Sequence, residues 1–150
     1  PALCQAMVYE SCMIKKRVVE QDPTEQGERA LLNFGHTLGH AVEKLENFTM
    51  HHGHCVGLGC IAAARISQLR GMLTAEEAAD IRNTFLSFGI PAAAPGLAWE
   101  RVLMTTQSDK KTEAGVIRFV LLNSIGQAYV DKTVTADEMK AGFDVIGGQA

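Results

Sequence analysis

No apolar run in this chain is long enough to cross a bilayer. The longest, Cys55 to Ala64, stops at Arg65, about half of the ~20 residues a membrane helix needs. There is no excess of basic charge either. The formal net charge is −3, which gives no electrostatic case for a nucleic-acid partner. The four cysteines (Cys4, Cys12, Cys55, Cys60) make no CxxC pair and no dense framework. Reduced thiols in a cytoplasmic protein are therefore expected, not a disulfide scaffold. The chain also lacks a Gly-rich dinucleotide loop, internal repeats, low-complexity tracts and an opening signal-peptide pattern. What is left is 150 residues, 47% apolar and 21% charged, the size and composition of one soluble globular domain with a proper core. It begins at Pro1 and runs at once into helical sequence, so it reads as a piece cut from a longer protein.

Histidine is absent from most of the chain and crowded where it occurs. His36, His40, His51, His52 and His54 all fall within residues 36–54. Histidine is the commonest metal ligand and the usual acid–base near neutral pH. His36 and His40 are four apart, which on a helix places both rings on one face, one turn apart.

The rest of the pattern is mainly helical. Leu3, Met7, Val8, Met13, Ile14 and Val18 give a helical period over 2–20. Asp22-Pro23-Thr24-Glu25 has the form of a helix start, with a helix running to about Glu46. Its apolar stripe is Leu31, Leu38, Val42 and Leu45. Its polar stripe is Glu25, Arg29, Asn33, His36, His40 and Glu43, at steps that share one face. After a loop at 47–51, an apolar helix spans about 53–70, rich in small residues that allow close packing and apolar on most sides, hence buried. Gly71 stops it. Thr74-Ala75-Glu76-Glu77 is a capping box for the next helix, which ends at Gly89. A connector at 91–98 leads to a short helix at 99–106. Strands at 116–121 and 127–130 are joined by a turn at 123–126. Thr135 caps a last helix to about Ile146. The expected architecture is a mainly α, multi-helical single domain over 1–150 with one small β-hairpin.

HxxxH on a helix suits zinc, with a third ligand from elsewhere. A zinc protease would need Glu after the first histidine, and Thr37 stands there. Alone, the pair reads first as a solvated polar face. Gly35 and Gly39 beside it alter that reading. Each costs roughly 1 kcal/mol against Ala inside a helix, so something approaches the backbone closely, either a neighbouring helix or a ligand. The 51–54 histidines can reach His36 if two helices pack antiparallel across the short loop. The basic clusters Lys15-Lys16-Arg17 and Lys110-Lys111 are individually solvated charge. Together with Arg29 and a histidine face they suit a phosphorylated, hydroxyl-rich substrate.

These pieces, in this order, resemble the 3-dehydroquinate synthase family. The resemblance rests on Ile14-Lys15-Lys16-Arg17-Val18-Val19, then Asp22, Glu25, Gly27 and Arg29. It continues through the run Leu31-Leu32-Asn33-Phe34-Gly35-His36-Thr37-Leu38-Gly39-His40-Ala41-Val42-Glu43, then His52-Gly53. Asp109-Lys110-Lys111, Phe119-Val120-Leu121-Leu122 and Ile125-Gly126 complete it. It implies a dehydroquinate-synthase-like C-terminal domain whose N-terminal, NAD+-binding partner domain is not in this chain. It implies the conversion of 3-deoxy-D-arabino-heptulosonate 7-phosphate to 3-dehydroquinate plus phosphate in the shikimate pathway. There NAD+ transiently oxidises a ring hydroxyl and Zn2+ or Co2+ acts as Lewis acid. By matching position, His36 and His52 are implied metal ligands, and His40 a substrate-side hydrogen-bonding or proton-handling group. Lys15, Glu25, Arg29 and Asn33 are implied substrate contacts, and one or both of Lys110 and Lys111 a phosphate contact. The full-length enzyme is implied to be a homodimer, and the isolated piece inactive.

Two departures stand out. The family's third metal ligand is a glutamate that would lie before Pro1, so two of three protein ligands are expected here. His54 occupies the place of the family's usual glutamate after His52-Gly53. Another sugar-phosphate cyclase, such as a 2-deoxy-scyllo-inosose synthase, and a non-catalytic helical metal-binding module are the alternatives. A metal-dependent alcohol dehydrogenase shares the two-domain plan, but the Lys/Arg set argues against it.

Overall fold

The structure is a computed structural model that describes residues 2–91, 93–108 and 117–147. Two compact units divide the chain, residues 1–33 and 34–150.

The first unit holds helix α1 (Ala2–Gln21) and a short 3-10 helix (Glu28–Asn33). The apolar residues Leu3, Met7, Val8, Met13 and Ile14 of α1 are exposed. Between the two elements Asp22 gathers the backbone. Its carboxylate accepts from the N–H groups of Gln26, Gly27 and Arg29 at 3.0, 2.7 and 3.1 Å. Those donors hold its pKa below the usual carboxylate value, the Gln26 amide first. Asp22 thus ties down a turn and does not start a long helix. Within that turn Glu25 takes a left-handed φ of 59°, a conformation uncommon for any residue but glycine.

The second unit is built on a helical hairpin, α2 (His36–Leu45) and α3 (His52–Leu69). The single helix expected from Asp22 to about Glu46 is therefore broken, and Glu25, Arg29 and Asn33 do not share a helical face with His36, His40 and Glu43. Gly35 is the break: it adopts φ 78° just before α2, which a residue with a Cβ rarely does. The hairpin is antiparallel and close. A Cβ on Gly35 would meet Cys60, and one on Gly39 would meet the backbone of Cys55 and Val56. As α2 advances from 35 to 39, its partner positions on α3 retreat from 60 to 55. A Cβ on Gly59 would collide with the carbonyl of Gly35. The neighbour that makes Gly35 and Gly39 necessary is a helix.

Around this hairpin the remaining elements close the core. Helix α4 (Ala75–Ser87) starts on a complete Thr74/Glu77 capping box, and α6 (Ala136–Asp144) on a Thr135/Glu138 box; α5 (Trp99–Gln107) lies between them in sequence. Strands β1 (Phe119–Ser124) and β2 (Gln127–Asp131) pair antiparallel, Phe119 opposite Asp131 and Leu121 opposite Tyr129, with a bulge between Leu122 and Ser124. The first strand starts at Phe119, where pairing with Asp131 begins; Ile117 and Arg118, within the expected span, are not in the strand, and Val116 lies outside the described residues. Residues 109–116 lie outside the described residues. Leu38, Val42, Leu58, Ile66, Val102, Leu121 and Ile146 form the centre of the core. The buried hydroxyl of Ser67 pins strand β1 to α3: it donates to the Ala63 carbonyl at 2.9 Å and accepts from the Leu122 amide at 3.0 Å. At one end Arg70 of the α3 C-terminus binds Glu138 through two N–H groups (2.7 and 2.9 Å) and Asp131 at 2.8 Å. That bidentate contact holds the Glu138 carboxyl down to about 2. Among the described residues no helix is long and apolar enough to cross a membrane.

Candidate metal centre

Three of the five histidines converge. His36 opens α2, His40 stands one turn on, and His52 opens α3 across the antiparallel seam. Their ring centroids are 5.2 Å (36–40), 5.6 Å (36–52) and 5.7 Å (40–52) apart. One ligand-capable nitrogen from each lies within 4.8 Å of the other two. Tetrahedral nitrogens at the ~2.0–2.1 Å zinc distance stand about 3.3 Å apart, so a cluster of this spread is of the size that can hold one ion between two or three of its members. His36 and His40 are half-buried and His52 is exposed, which leaves an open side for a further ligand, as a catalytic metal requires.

The chemistry of the donor set fits a metal. His36 Nδ1 lies 3.1 Å from the Phe34 carbonyl. A carbonyl only accepts, so Nδ1 carries the proton and Nε2 carries the lone pair. His52 Nδ1 lies 3.2 Å from both carboxylate oxygens of Glu43, and the same reasoning gives Nε2 as its ligating nitrogen. The nearby thiols do not compete. Burial pushes Cys60 up to about 12 and raises Cys55 as well, with Glu43 and Glu46 adding to the latter. Both remain neutral thiols, and the thiolate is the metal ligand. All four cysteines are free.

His40 enters the cluster as an equal neighbour of the two expected ligands. His51 and His54 instead face each other at 5.4 Å between ring centroids and are not among the three. Glu43 was legible only as one member of the polar stripe; its spacing of three from His40 and seven from His36 puts it on their face of α2.

In the first unit, Glu25 and Asn33 meet: Asn33 Nδ2 donates to Glu25 Oε1 at 2.6 Å. The guanidinium of Arg29 donates to the Pro23 carbonyl at 2.6 Å. Lys15 is exposed on α1. Lys110 and Lys111 lie outside the described residues.

The family model described as 3-dehydroquinate synthase C-terminal matches residues 1–112. The chain is 40% identical over 134 residues to a 3-dehydroquinate synthase of Neisseria meningitidis serogroup C, covering 89% of this chain and 37% of that protein. It is 42% identical over 130 residues to that of Nitrosospira multiformis, covering 86% and 36%. The chain thus spans little more than a third of the length of these relatives. Among solved structures, it overlays a 2-epi-5-epi-valiolone synthase of Streptomyces hygroscopicus subsp. jinggangensis, bound to NAD+ and Zn2+, with a TM-score of 0.83. That match has 20% identity and covers 95% of this chain and 39% of the other. A 2-deoxy-scyllo-inosose synthase complexed with carbaglucose-6-phosphate, NAD+ and Co2+ overlays with a TM-score of 0.73 at 18% identity, covering 88% and 39%. At those identities the structural matches establish the fold.

Proposed function

This chain belongs to the 3-dehydroquinate synthase C-terminal family, and from that premise we propose that it is the metal- and substrate-binding part of a 3-dehydroquinate synthase. The whole enzyme converts 3-deoxy-D-arabino-heptulosonate 7-phosphate to 3-dehydroquinate and phosphate, in the shikimate pathway to aromatic amino acids. The observation that carries the reading is the convergence of His36, His40 and His52 within 4.8 Å, inside the segment that the family model matches. The N-terminal domain that would bind NAD+ belongs to the remainder of the polypeptide, and the assembled enzyme is a cytoplasmic homodimer.

His36 and His52 would hold a Zn2+ or Co2+ ion, each ring fixed by its Nδ1 hydrogen bond, which leaves Nε2 as the available nitrogen. When bound, the ion supplies Lewis-acid polarisation of a substrate oxygen and NAD+ supplies hydride transfer. His40, beside both ligands, hydrogen-bonds a substrate hydroxyl and moves its proton, work suited to an imidazole near neutral pH. Lys15, Glu25, Arg29 and Asn33 bind the substrate's hydroxyls, carboxylate or phosphate, and one or both of Lys110 and Lys111 the phosphate. An Arg fork matches a carboxylate or phosphate in two parallel hydrogen bonds.

The test is phosphate release from the heptulosonate phosphate by the full polypeptide that carries this chain, supplied with NAD+ and zinc. Release that His36→Ala and His52→Ala abolish supports the reading; no release in the native enzyme ends it. His54, in the place of the family's glutamate, and the likeness to cyclases acting on other sugar phosphates favour one second reading, a different cyclase of this fold. Turnover of glucose 6-phosphate in preference to the heptulosonate phosphate would establish it.

A further inference from the structure

His36 and His52 are fixed by different partners, and the difference points beyond the ligands themselves. His36 leans on a neutral backbone carbonyl of its own entry turn. His52 leans on a carboxylate delivered by the other helix: Glu43, on α2, presents both oxygens at 3.2 Å to Nδ1 of His52, the first residue of α3. The Glu43 side chain is only 17% exposed, whereas that of His52 is 54% exposed. The anchored member of the pair is therefore the glutamate, and the histidine is the group that would otherwise turn freely in solvent.

Resting on the metal-site reading above, we infer that Glu43 is a positioning residue: it holds His52 in the Nδ1–H tautomer with Nε2 directed at His36 and His40. Three consequences follow from its chemistry. A carboxylate only accepts, so it selects one of two nearly equal tautomers. Its charge makes the imidazole a stronger donor to a cation, as outer partners of metal-bound histidines do. And because it reaches His52 from α2, it couples the two helices at the end of the seam opposite Gly35 and Gly59, so ligand geometry and helix packing are set together.

The test uses the 150-residue chain, zinc alone as probe, and two readouts. Zinc affinity is measured by calorimetric titration for the native chain, Glu43→Gln, Glu43→Ala, Glu43→Asp and His52→Ala. The tautomer of His52 is read without metal from its ring 15N shifts at pH 8, above the ordinary imidazole range. Glu43→Gln and Glu43→Ala should weaken zinc 10- to 100-fold and move His52 from a pure Nδ1–H signature to a mixture. Glu43→Asp should recover part of both. An unchanged tautomer and affinity in Glu43→Ala, with affinity still lost in His52→Ala, overturns the positioning role and leaves the metal site standing. Affinity indifferent to His52→Ala and His36→Ala overturns the metal site instead. A purely structural glutamate would lower the melting temperature without altering the 15N signature, which also refutes the inference.

Discussion

Replacing Gly59 by Ala adds one methyl at the place where the two histidine-bearing helices touch. Its carbon would collide with the Gly35 carbonyl oxygen and stand 2.8 Å from the Gly35 carbonyl carbon and 2.9 Å from the Gly39 nitrogen. All three are backbone atoms, so no side-chain rotation relieves the contact; α2 must move off α3. Overpacking of this kind costs about 1–3 kcal/mol and sometimes more, and with rigid backbone on the far side the upper end applies. The better helix propensity of Ala returns about 1 kcal/mol. The net loss is about 2 kcal/mol, or roughly 4–8 °C in Tm for a chain of this size. Because Gly35 immediately precedes His36, the same displacement draws His36 away from His52, and zinc affinity falls about tenfold or more. Thermal unfolding by circular dichroism and zinc calorimetry on Gly59→Ala measure both. Gly53→Ala is the control: it sits on the same helix, nothing lies within 4 Å of its Cβ, and it should be neutral or slightly stabilising. If Gly59→Ala melts with the native chain and binds zinc equally, the close antiparallel seam is wrong.

Three further outcomes are expected. Ser67→Ala leaves the buried Leu122 amide without its acceptor and should cost about 1–3 kcal/mol in urea unfolding, whereas an exposed serine such as Ser87 should cost almost nothing. Glu138 ionises at about 2 in the fold, below its unfolded value near 4.3. Its contribution is therefore complete above about pH 4.3 and lost as pH falls towards 2; roughly 1–2 kcal/mol should disappear in that window once solvent screening is allowed for, and Arg70→Ala should flatten this part of the stability–pH curve. Cys60, buried and held up to about 12, should resist iodoacetamide at pH 8 while the exposed Cys4 and Cys12 are alkylated, a difference that peptide mass spectrometry resolves.

Most of the fold could be read from local rules. Thr74/Glu77 and Thr135/Glu138 are capping boxes in sequence and in space, and the small, apolar-all-round 53–70 segment is the buried centre it promised to be. The segment from Asp22 to Glu46 reads as one helix because its polar period survives a break that periodicity cannot see. The costs at Gly35 and Gly39 signal close approach, but a glycine needed for its left-handed φ and one needed for space look alike in a sequence. Asp22 likewise looks like a cap whether it serves a helix or gathers three amides of a turn. At the site, the HxxxH spacing marks the His36/His40 pair, the short 47–51 loop puts the 51–54 histidines within reach of His36, and His52 in particular is marked by the family resemblance. Which of the 51–54 histidines takes part depends on where α3 begins, a matter of one residue. The partner of His52 depends on the register of α2 against α3, which is set by contacts between backbones at Gly35, Gly39 and Gly59 and not by either side chain of the pair.

Zinc titration by calorimetry of the 150-residue chain beside His36→Ala and His52→Ala addresses the central claim most directly. The account predicts one-to-one binding by the native chain that each substitution weakens at least tenfold. Equal isotherms for all three would show that the converging histidines are a polar surface and no metal site.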